Sequence, residues 1–116
     1  MRVAPRGQAL SVAVQPLDGW RELWVFRKNN GGWTADVVTP ASETGLGYVE
    51  WAGWTPDGTR LLAAREARVN GRFTRSFELL RLDTLAVERK AERPQNLTPF
   101  YRWQAPEWKA QTLALR

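Results

Sequence analysis

Two carboxylates, Glu50 and Asp57, flank the tryptophans Trp51 and Trp54 in the middle of the chain. A pair of carboxylic acids beside aromatic rings is the arrangement that glycoside hydrolysis needs. Asp57, however, lies in Pro56-Asp57-Gly58, whose three residue types together form tight turns. We therefore expect Asp57 to cap a turn, and we interpret the pair as structural rather than catalytic.

The residue types that most enzymes depend on are missing from the sequence. It contains no histidine and no cysteine, so it lacks the commonest general base, the commonest metal ligands and a thiol nucleophile. It also carries no glycine-rich phosphate loop and no metal-ligand cluster. We predict that the chain is not an enzyme and that it uses no cofactor and no metal.

Arginines form the most concentrated charge in the chain, which has a net charge of +5. Arg65, Arg68, Arg72 and Arg75 surround Glu66 on both arms of an expected hairpin. A solvated surface is the simplest interpretation, because a basic balance first of all favours solubility. The same arginines are candidate contacts for a protein partner. They are also candidates for nucleic acid or another anion, since arginine forks bind phosphate and carboxylate.

Seven tryptophans provide a second set of candidates. At strand positions such as Trp24 and Trp51 an indole is best explained as core, because burying it removes so much apolar surface from water. Trp20, Trp33 and Trp108 lie beside expected turns, and we predict that these three are exposed partner contacts. Exposed indoles can also stack on sugars, so a carbohydrate-binding module is an alternative function.

The clearest secondary structure signal is Asn70-Gly71 between two long β-like runs, which predicts a two-residue hairpin turn. With that turn, Val69 pairs with Arg72, and every later pair follows. One face then carries Arg68–Phe73, Glu66–Arg75, Ala64–Phe77 and Leu62–Leu79, and the other carries Ala67–Thr74, Arg65–Ser76, Ala63–Glu78 and Leu61–Leu80. The base of the hairpin is apolar on both faces, so we expect it to be buried while the basic tip projects.

Alternating and short apolar runs predict further strands along the chain. They lie around Leu10 to Val14, Glu22 to Lys28, Trp33 to Val37 and Tyr48 to Trp54, with a turn at Asn29 to Gly32 and a loop from Pro40 to Gly47. A turn and a short strand through Val87 follow Leu82. We expect a solvated connector over Glu88 to Asn96, and two short strands, Tyr101 to Trp103 and Leu113 to Leu115. No segment predicts a helix, and no apolar run is long enough to span a membrane.

A short phrase of proline, an acid and usually glycine precedes several of these strands. It occurs as Pro16-Leu17-Asp18-Gly19, as Trp54-Thr55-Pro56-Asp57-Gly58 and, in degraded form, as Pro106-Glu107-Trp108. Repetition at a spacing of tens of residues indicates stacked supersecondary units. The central copy, followed by Leu61-Leu62, resembles the repeat of the WD40-like, TolB-type β-propeller family, and Phe77 to Asp83 is similar to that family's third strand.

The resemblance implies a single all-β domain over residues 1–116, built as an antiparallel meander of blade-like units near 8–40, 48–90 and, in part, 100–116. A closed propeller needs about four blades. The resemblance thus leaves three alternatives: a piece of a longer protein, association of chains, or closure into a small β-sandwich. It also implies a non-catalytic interaction or structural module in the periplasm or cell envelope, with the cytoplasm as the alternative. We predict a protein partner or self-association through sheet edges.

Overall fold

Eight β-strands form one open, mixed sheet in the computed structural model, which describes residues 1–106 and 108. In chain order the strands are β1 (Arg2–Val3), β2 (Ala9–Leu17), β3 (Trp20–Asn29), β4 (Gly32–Val38), β5 (Leu46–Trp54), β6 (Arg60–Val69), β7 (Arg72–Arg81) and β8 (Val87–Ala91). A 3-10 turn at Pro94–Asn96 and one short helix, α1 (Thr98–Trp103), follow β8. The predicted all-β class is confirmed.

The strands are grouped into two antiparallel halves of four. The first half contains β1 to β4 and the second contains β5 to β8, each with neighbours in chain order. A short parallel pairing joins the halves, in which Trp20 lies beside Gly47 and Arg21 beside Tyr48. Strand β3 pairs with β5 only at its first two residues and with β4 beyond them. The two halves are therefore joined at one corner of the sheet.

The hairpin of β6 and β7 has the predicted register throughout. Val69 pairs with Arg72 around Asn70-Gly71, whose φ angles of 52° and 75° are those of a tight hairpin turn. The guanidinium of Arg68 lies 5.8 Å from the centre of the Phe73 ring, as that register requires. The predicted pairs from Leu61–Leu80 to Arg68–Phe73 are all confirmed, and so is the buried base beneath an exposed tip.

The two halves repeat one structural unit, and its repeated turn differs from the predicted one. In the second half Thr55 N bonds Arg60 O, and Gly58, at φ 73°, bonds back to Thr55 O. In the first half Ala4 N bonds Ala9 O, and Gly7, at φ 71°, bonds back to Ala4 O. The counterpart of Pro56-Asp57-Gly58 is therefore Pro5-Arg6-Gly7, which lacks the acid. Pro16-Leu17-Asp18-Gly19 leads instead into the β2–β3 hairpin.

The main core lies between the two halves, which pack face to face. Its buried residues come from both: Ala4, Ala9, Leu23, Val25 and Val38 from the first, and Val49, Leu61, Ala63, Leu80 and Leu82 from the second. A second cluster covers the opposite face of the second half, where Leu97 and Trp108 pack on Leu62, Phe77 and their neighbours. The second half is thus covered on both faces near its base.

Two predictions near the end of the chain are wrong. The expected connector over Glu88 to Asn96 begins as β8, since Lys90 and Arg89 pair with β7 at the rim of the sheet. Most of its residues are charged and exposed, a pattern that edge strands and solvated loops share. The expected strand Tyr101 to Trp103 belongs to α1, which begins at Thr98-Pro99, a pair of residues favoured at helix starts.

The predicted strand Leu113 to Leu115 lies outside the described residues. Within the part of the chain that the structure describes, no helix combines the length and the apolar character needed to cross a bilayer.

Candidate interaction surface

One face of the first half is apolar and lies on the opposite side from the core that this half shares with the second half. Side chains alternate along a strand, so the residues between the core positions of β2, β3 and β4 share this face. The ladder places Leu10 beside Phe26, and Val12 beside Trp24. We call this surface the outer face and define it by Leu10, Val12, Trp24, Phe26, Trp33, Ala35 and Val37.

The internal repeat shows how unusual the outer face is. In the repeated ladder, the pair Leu10–Phe26 corresponds to Leu61–Leu80, counted from the equivalent turns. Leu61 and Leu80 are both 0% exposed, because the first half packs on them. Leu10 and Phe26 are only partly buried. Within the described residues, the face that the second half buries is therefore left open on the first half.

A partly buried pair of hydrogen bonds fixes the orientation of the Trp24 ring on the outer face. The carboxylate of Glu22 accepts one bond from Trp20 Nε1 at 3.1 Å and another from Trp24 Nε1 at 3.2 Å. The Trp24 indole is thereby held in place before any partner arrives. The same contact corrects a prediction, because Trp20 is 4% exposed and does not present its ring to solvent.

Strand β4 borders the outer face, and within residues 1–106 and 108 no strand pairs with its outer edge. Lys28 donates its N–H to Gln8 O on the β2 side, at 2.8 Å. Backbone groups alternate between the two sides of an antiparallel strand, so Arg27 turns towards β4 and pairs with Thr34. The outward backbone groups of β4 then belong to Trp33, Ala35 and Val37, the same residues that carry its outer-face side chains.

A second edge strand, β8, differs from β4 in charge. It presents Glu88, Arg89 and Lys90 in succession, and Glu88 accepts a 2.7 Å bond from Arg60 Nε. This bond lowers the pKa of Glu88. Charged residues are a device by which proteins protect an edge strand from pairing. On β4 the one charged residue is Asp36, and its carboxylate is paired with Arg27.

The candidate tryptophans are divided by the fold. Trp33 is 53% exposed and lies on the outer face, as predicted for a contact residue. Trp108 is 2% exposed, packs edge-on against Phe77 with ring centres 6.4 Å apart, and closes the second core cluster. The prediction that Trp20 and Trp108 are exposed is wrong, because both indoles are buried although each lies beside a turn.

The four candidate arginines do not form one cluster. Arg68, Arg72 and Arg75 are exposed at the hairpin tip. Arg65 lies nearer the base, where it bonds Glu78 at 2.9 Å and the backbone oxygen of Thr39 at 2.6 Å. Its side chain is 22% exposed, and its role is to hold the loop after β4 against the hairpin. The tip itself is therefore a surface of three arginines.

Glu66, at the centre of the predicted cluster, has a different partner from the one expected. Its carboxylate accepts a hydrogen bond from the hydroxyl of Tyr48 on β5. Within the described residues no ion pair joins it to Arg75, although the two residues are directly opposite in the ladder. The carboxylate thus ties the hairpin to its neighbouring strand.

The two carboxylates considered for hydrolysis have separate structural roles. Asp57 accepts bonds from the backbone N–H of Thr59 and from the hydroxyls of Thr55 and Thr59, at 2.8 to 3.0 Å. These bonds lower its pKa to about 2. Glu50 is 6% exposed and accepts a 2.8 Å bond from Trp108 Nε1. They line different clefts, of about 450 Å³ for Asp57 and about 170 Å³ for Glu50.

Sequence reasoning missed most of the outer face. The sequence predicts Trp24, in the apolar run Leu23-Trp24-Val25-Phe26, as a core residue, which the composition of the run favours. In the structure Leu23 and Val25 are core, while Trp24 and Phe26 are half-buried on the opposite face. The available signal was the alternation of Leu10, Val12 and Val14, which marks one open face on the neighbouring strand.

The described residues contain no group of three or more acidic side chains placed to hold a metal ion. Comparison with protein-family models, with curated proteins and with solved structures gave no match to this chain.

Proposed function

We propose that this protein is a non-catalytic protein–protein interaction module that binds its partner through the outer face and the adjoining edge of β4. The observation that carries the proposal is the contrast between the two halves. Leu61 and Leu80 are completely buried, while their counterparts Leu10 and Phe26 are only partly buried. A contiguous apolar face of this kind on a folded domain is characteristic of interaction sites.

The composition of the surface supports a protein partner. Its centre is aromatic and aliphatic, and charged groups stand at its ends, which is the usual arrangement of protein interfaces. The free backbone groups of Trp33, Ala35 and Val37 offer, in addition, a template for strand addition. We propose, with the sequence resemblance as support, that the two halves are propeller-like blades and that the module works in the periplasm or cell envelope.

The alternative functions receive less support from the same surface. Sugar binding requires several exposed rings, and of the three predicted contact tryptophans only Trp33 is exposed. Binding of nucleic acid would depend on Arg68, Arg72 and Arg75 at the hairpin tip, where the Arg68 guanidinium already lies over the Phe73 ring. Steeply salt-dependent association with DNA or RNA, lost on replacing Arg68 and Arg72, would favour that alternative.

Site-specific photo-crosslinking in living cells tests the proposal. Val37 on the outer face and Val87 on β8 are each 46% exposed, so they are matched positions for a benzoylphenylalanine probe. We expect a discrete protein adduct from position 37 and none from position 87. Equal labelling at the two positions, or no adduct at position 37, would contradict the proposed function.

A further inference from the structure

We propose that the partner is a second copy of this chain, packed outer face against outer face with the two β3 strands antiparallel. This inference depends on the proposed function and adds the identity of the partner and its orientation. It is carried by the order of side chains along β3. On the outer face these are Glu22, Trp24, Phe26 and Lys28, with an acid at one end and a base at the other.

The charge order makes the face complementary to itself in one orientation. When two copies meet about a two-fold axis that crosses β3 between Trp24 and Phe26, Glu22 of each copy faces Lys28 of the other. The same axis brings Trp24 of each copy onto Phe26 of the other, an aromatic pair of the kind that stabilises interfaces. In the parallel orientation, Glu22 would meet Glu22 and Lys28 would meet Lys28, which is unfavourable.

The neighbouring strands fit the same axis. Leu10 lies level with Phe26, and Val12 lies level with Trp24, so Leu10 of one copy faces Val12 of the other. On β4, Ala35 lies level with Phe26 and Val37 with Trp24. Val37 therefore faces Ala35 of the other copy, and a large side chain meets a small one. Aligned packing of two sheets brings inner-face side chains into contact in this way.

A dimer formed only by pairing the two β4 edges would remove less apolar surface from water. It would bond the backbone groups of Trp33, Ala35 and Val37, but it would leave both outer faces in water and join them into a larger apolar area. Face-to-face packing removes that area from solvent. The orientation of Trp24, already fixed by Glu22 at 3.2 Å, lowers the entropy cost of forming such an interface.

The area of the outer face determines the expected affinity of the dimer. Three strands about 4.8 Å apart and seven residues long at about 3.4 Å each give a patch on the order of 300–400 Å² per copy in projection. Stable interfaces bury about 800 Å² of accessible surface per partner. We therefore expect a reversible dimer with a micromolar dissociation constant, not a permanent one.

Sedimentation equilibrium over a range of concentrations tests the self-association. The natural chain is expected to change from monomer to dimer as its concentration rises through the micromolar range. Val37→Lys places a charge within the interface, opposite Ala35 of the other copy, and should weaken the dimer at least tenfold. Val87→Lys adds the same charge at an equally exposed site on β8 and should leave the dimer unchanged. Thermal melting of both variants verifies that they fold.

Cysteine cross-linking tests the orientation, because the chain has no cysteine of its own. Positions 22 and 28 lie about 20 Å apart within one β3 strand, too far for a short cross-linker inside one copy, whereas facing sheets lie about 10 Å apart. A short bismaleimide linker should therefore join the double variant Glu22→Cys with Lys28→Cys into a covalent dimer, and it should not join Lys28→Cys alone. A covalent dimer from Lys28→Cys alone, or none from the double variant, would overturn the antiparallel arrangement.

The combined results separate this inference from the proposed function. A monomer at every concentration, together with a crosslinked adduct of some other protein at position 37, would overturn self-association and leave the interaction role standing. A monomer without any adduct at position 37 would overturn both. An adduct with the mass of two copies at position 37, together with a monomer–dimer change in sedimentation that Val37→Lys weakens, would support both.

Discussion

The indole of Trp108 donates a 2.8 Å hydrogen bond to the carboxylate of Glu50, which lies 58 residues earlier in the chain. Both side chains are almost fully buried, at 2% and 6% exposed. The bond connects the segment after α1 to β5 and closes the second core cluster over Phe77. The segment after α1 thereby covers the second face of the second half, whereas no described residues cover the outer face of the first half.

Truncation of Trp108 is therefore expected to destabilise the fold strongly. Trp108→Ala removes a buried ring and should lower the free energy of unfolding by about 3–5 kcal/mol. Trp108→Phe keeps much of the packing against Phe77 but removes a donor to a buried carboxylate, at a cost of about 1–3 kcal/mol. Urea denaturation measures both values. Trp33→Phe, at an exposed site, should change the free energy by less than about 0.5 kcal/mol. Equal losses at both positions would contradict the assigned role.

A second prediction concerns the ion pair between Arg65 and Glu78. Glu78 is 6% exposed, and Arg65 Nη2 lies 2.9 Å from its Oε1 while Nη1 bonds Thr39 O. Arg65→Met leaves this carboxylate without its cation and should reduce stability by about 2–3 kcal/mol. Arg72→Met, at the exposed tip of the same hairpin, should change it by less than about 0.5 kcal/mol. If the two variants unfold at the same urea concentration, the Arg65–Glu78 pair contributes no more to stability than the exposed Arg72 side chain does.

The hairpin of β6 and β7 could be predicted because residues close together in the sequence determine both its turn and its strand register. Asn70-Gly71 fixes the turn, and the turn fixes each pair as far as Leu61–Leu80. The same reasoning placed β2, β3 and β4 correctly. It failed at β8, where Val87 and the charged residues after it describe a solvated edge as well as they describe a loop.

The candidate site was harder to predict, because exposure depends on which half covers which. Trp20 and Trp108 have the same local context as Trp33, beside a turn, yet only Trp33 is exposed. Trp24 and Phe26 look like core residues in the sequence, and they would be core if they stood in the second half. The difference arises from packing between segments far apart in the chain. The hydrophobic periodicity of a single segment carries no information about that packing.

A third prediction tests the corner that joins the halves. Gly47 pairs with Trp20 there, and a methyl group on it would lie 2.6 Å from Glu66 O and 3.0 Å from Ala67 Cα. Gly47→Ala forces backbone to move and should cost about 1–3 kcal/mol. Gly31→Ala is the control, since its nearest contact would be an unstrained 3.7 Å to the side chain of Asn29. Chemical denaturation of the two variants provides the comparison, and equal midpoints would show that the corner tolerates displacement.

The last prediction concerns pH and the turn between β5 and β6. Hydrogen bonds from Thr59 and Thr55 lower the pKa of Asp57 from 3.8 to about 2 in the folded chain. A carboxylate whose pKa is lower when folded stabilises the fold fully above its unfolded pKa. This contribution is lost as the pH falls from about 4 through about 2, because the proton then binds the unfolded chain more readily.

Asp57→Asn removes the titration while keeping a side-chain acceptor for the turn. Melting temperatures measured between pH 2 and pH 5 should therefore fall more steeply for the natural chain than for the variant, with the two curves approaching each other at the acid end. Glu88 and Asp83 also have lowered pKa values, from bonds to Arg60 and Arg81, so some slope will remain in Asp57→Asn. Parallel curves over this range would mean that the three hydrogen bonds on Asp57 do not favour its charged form.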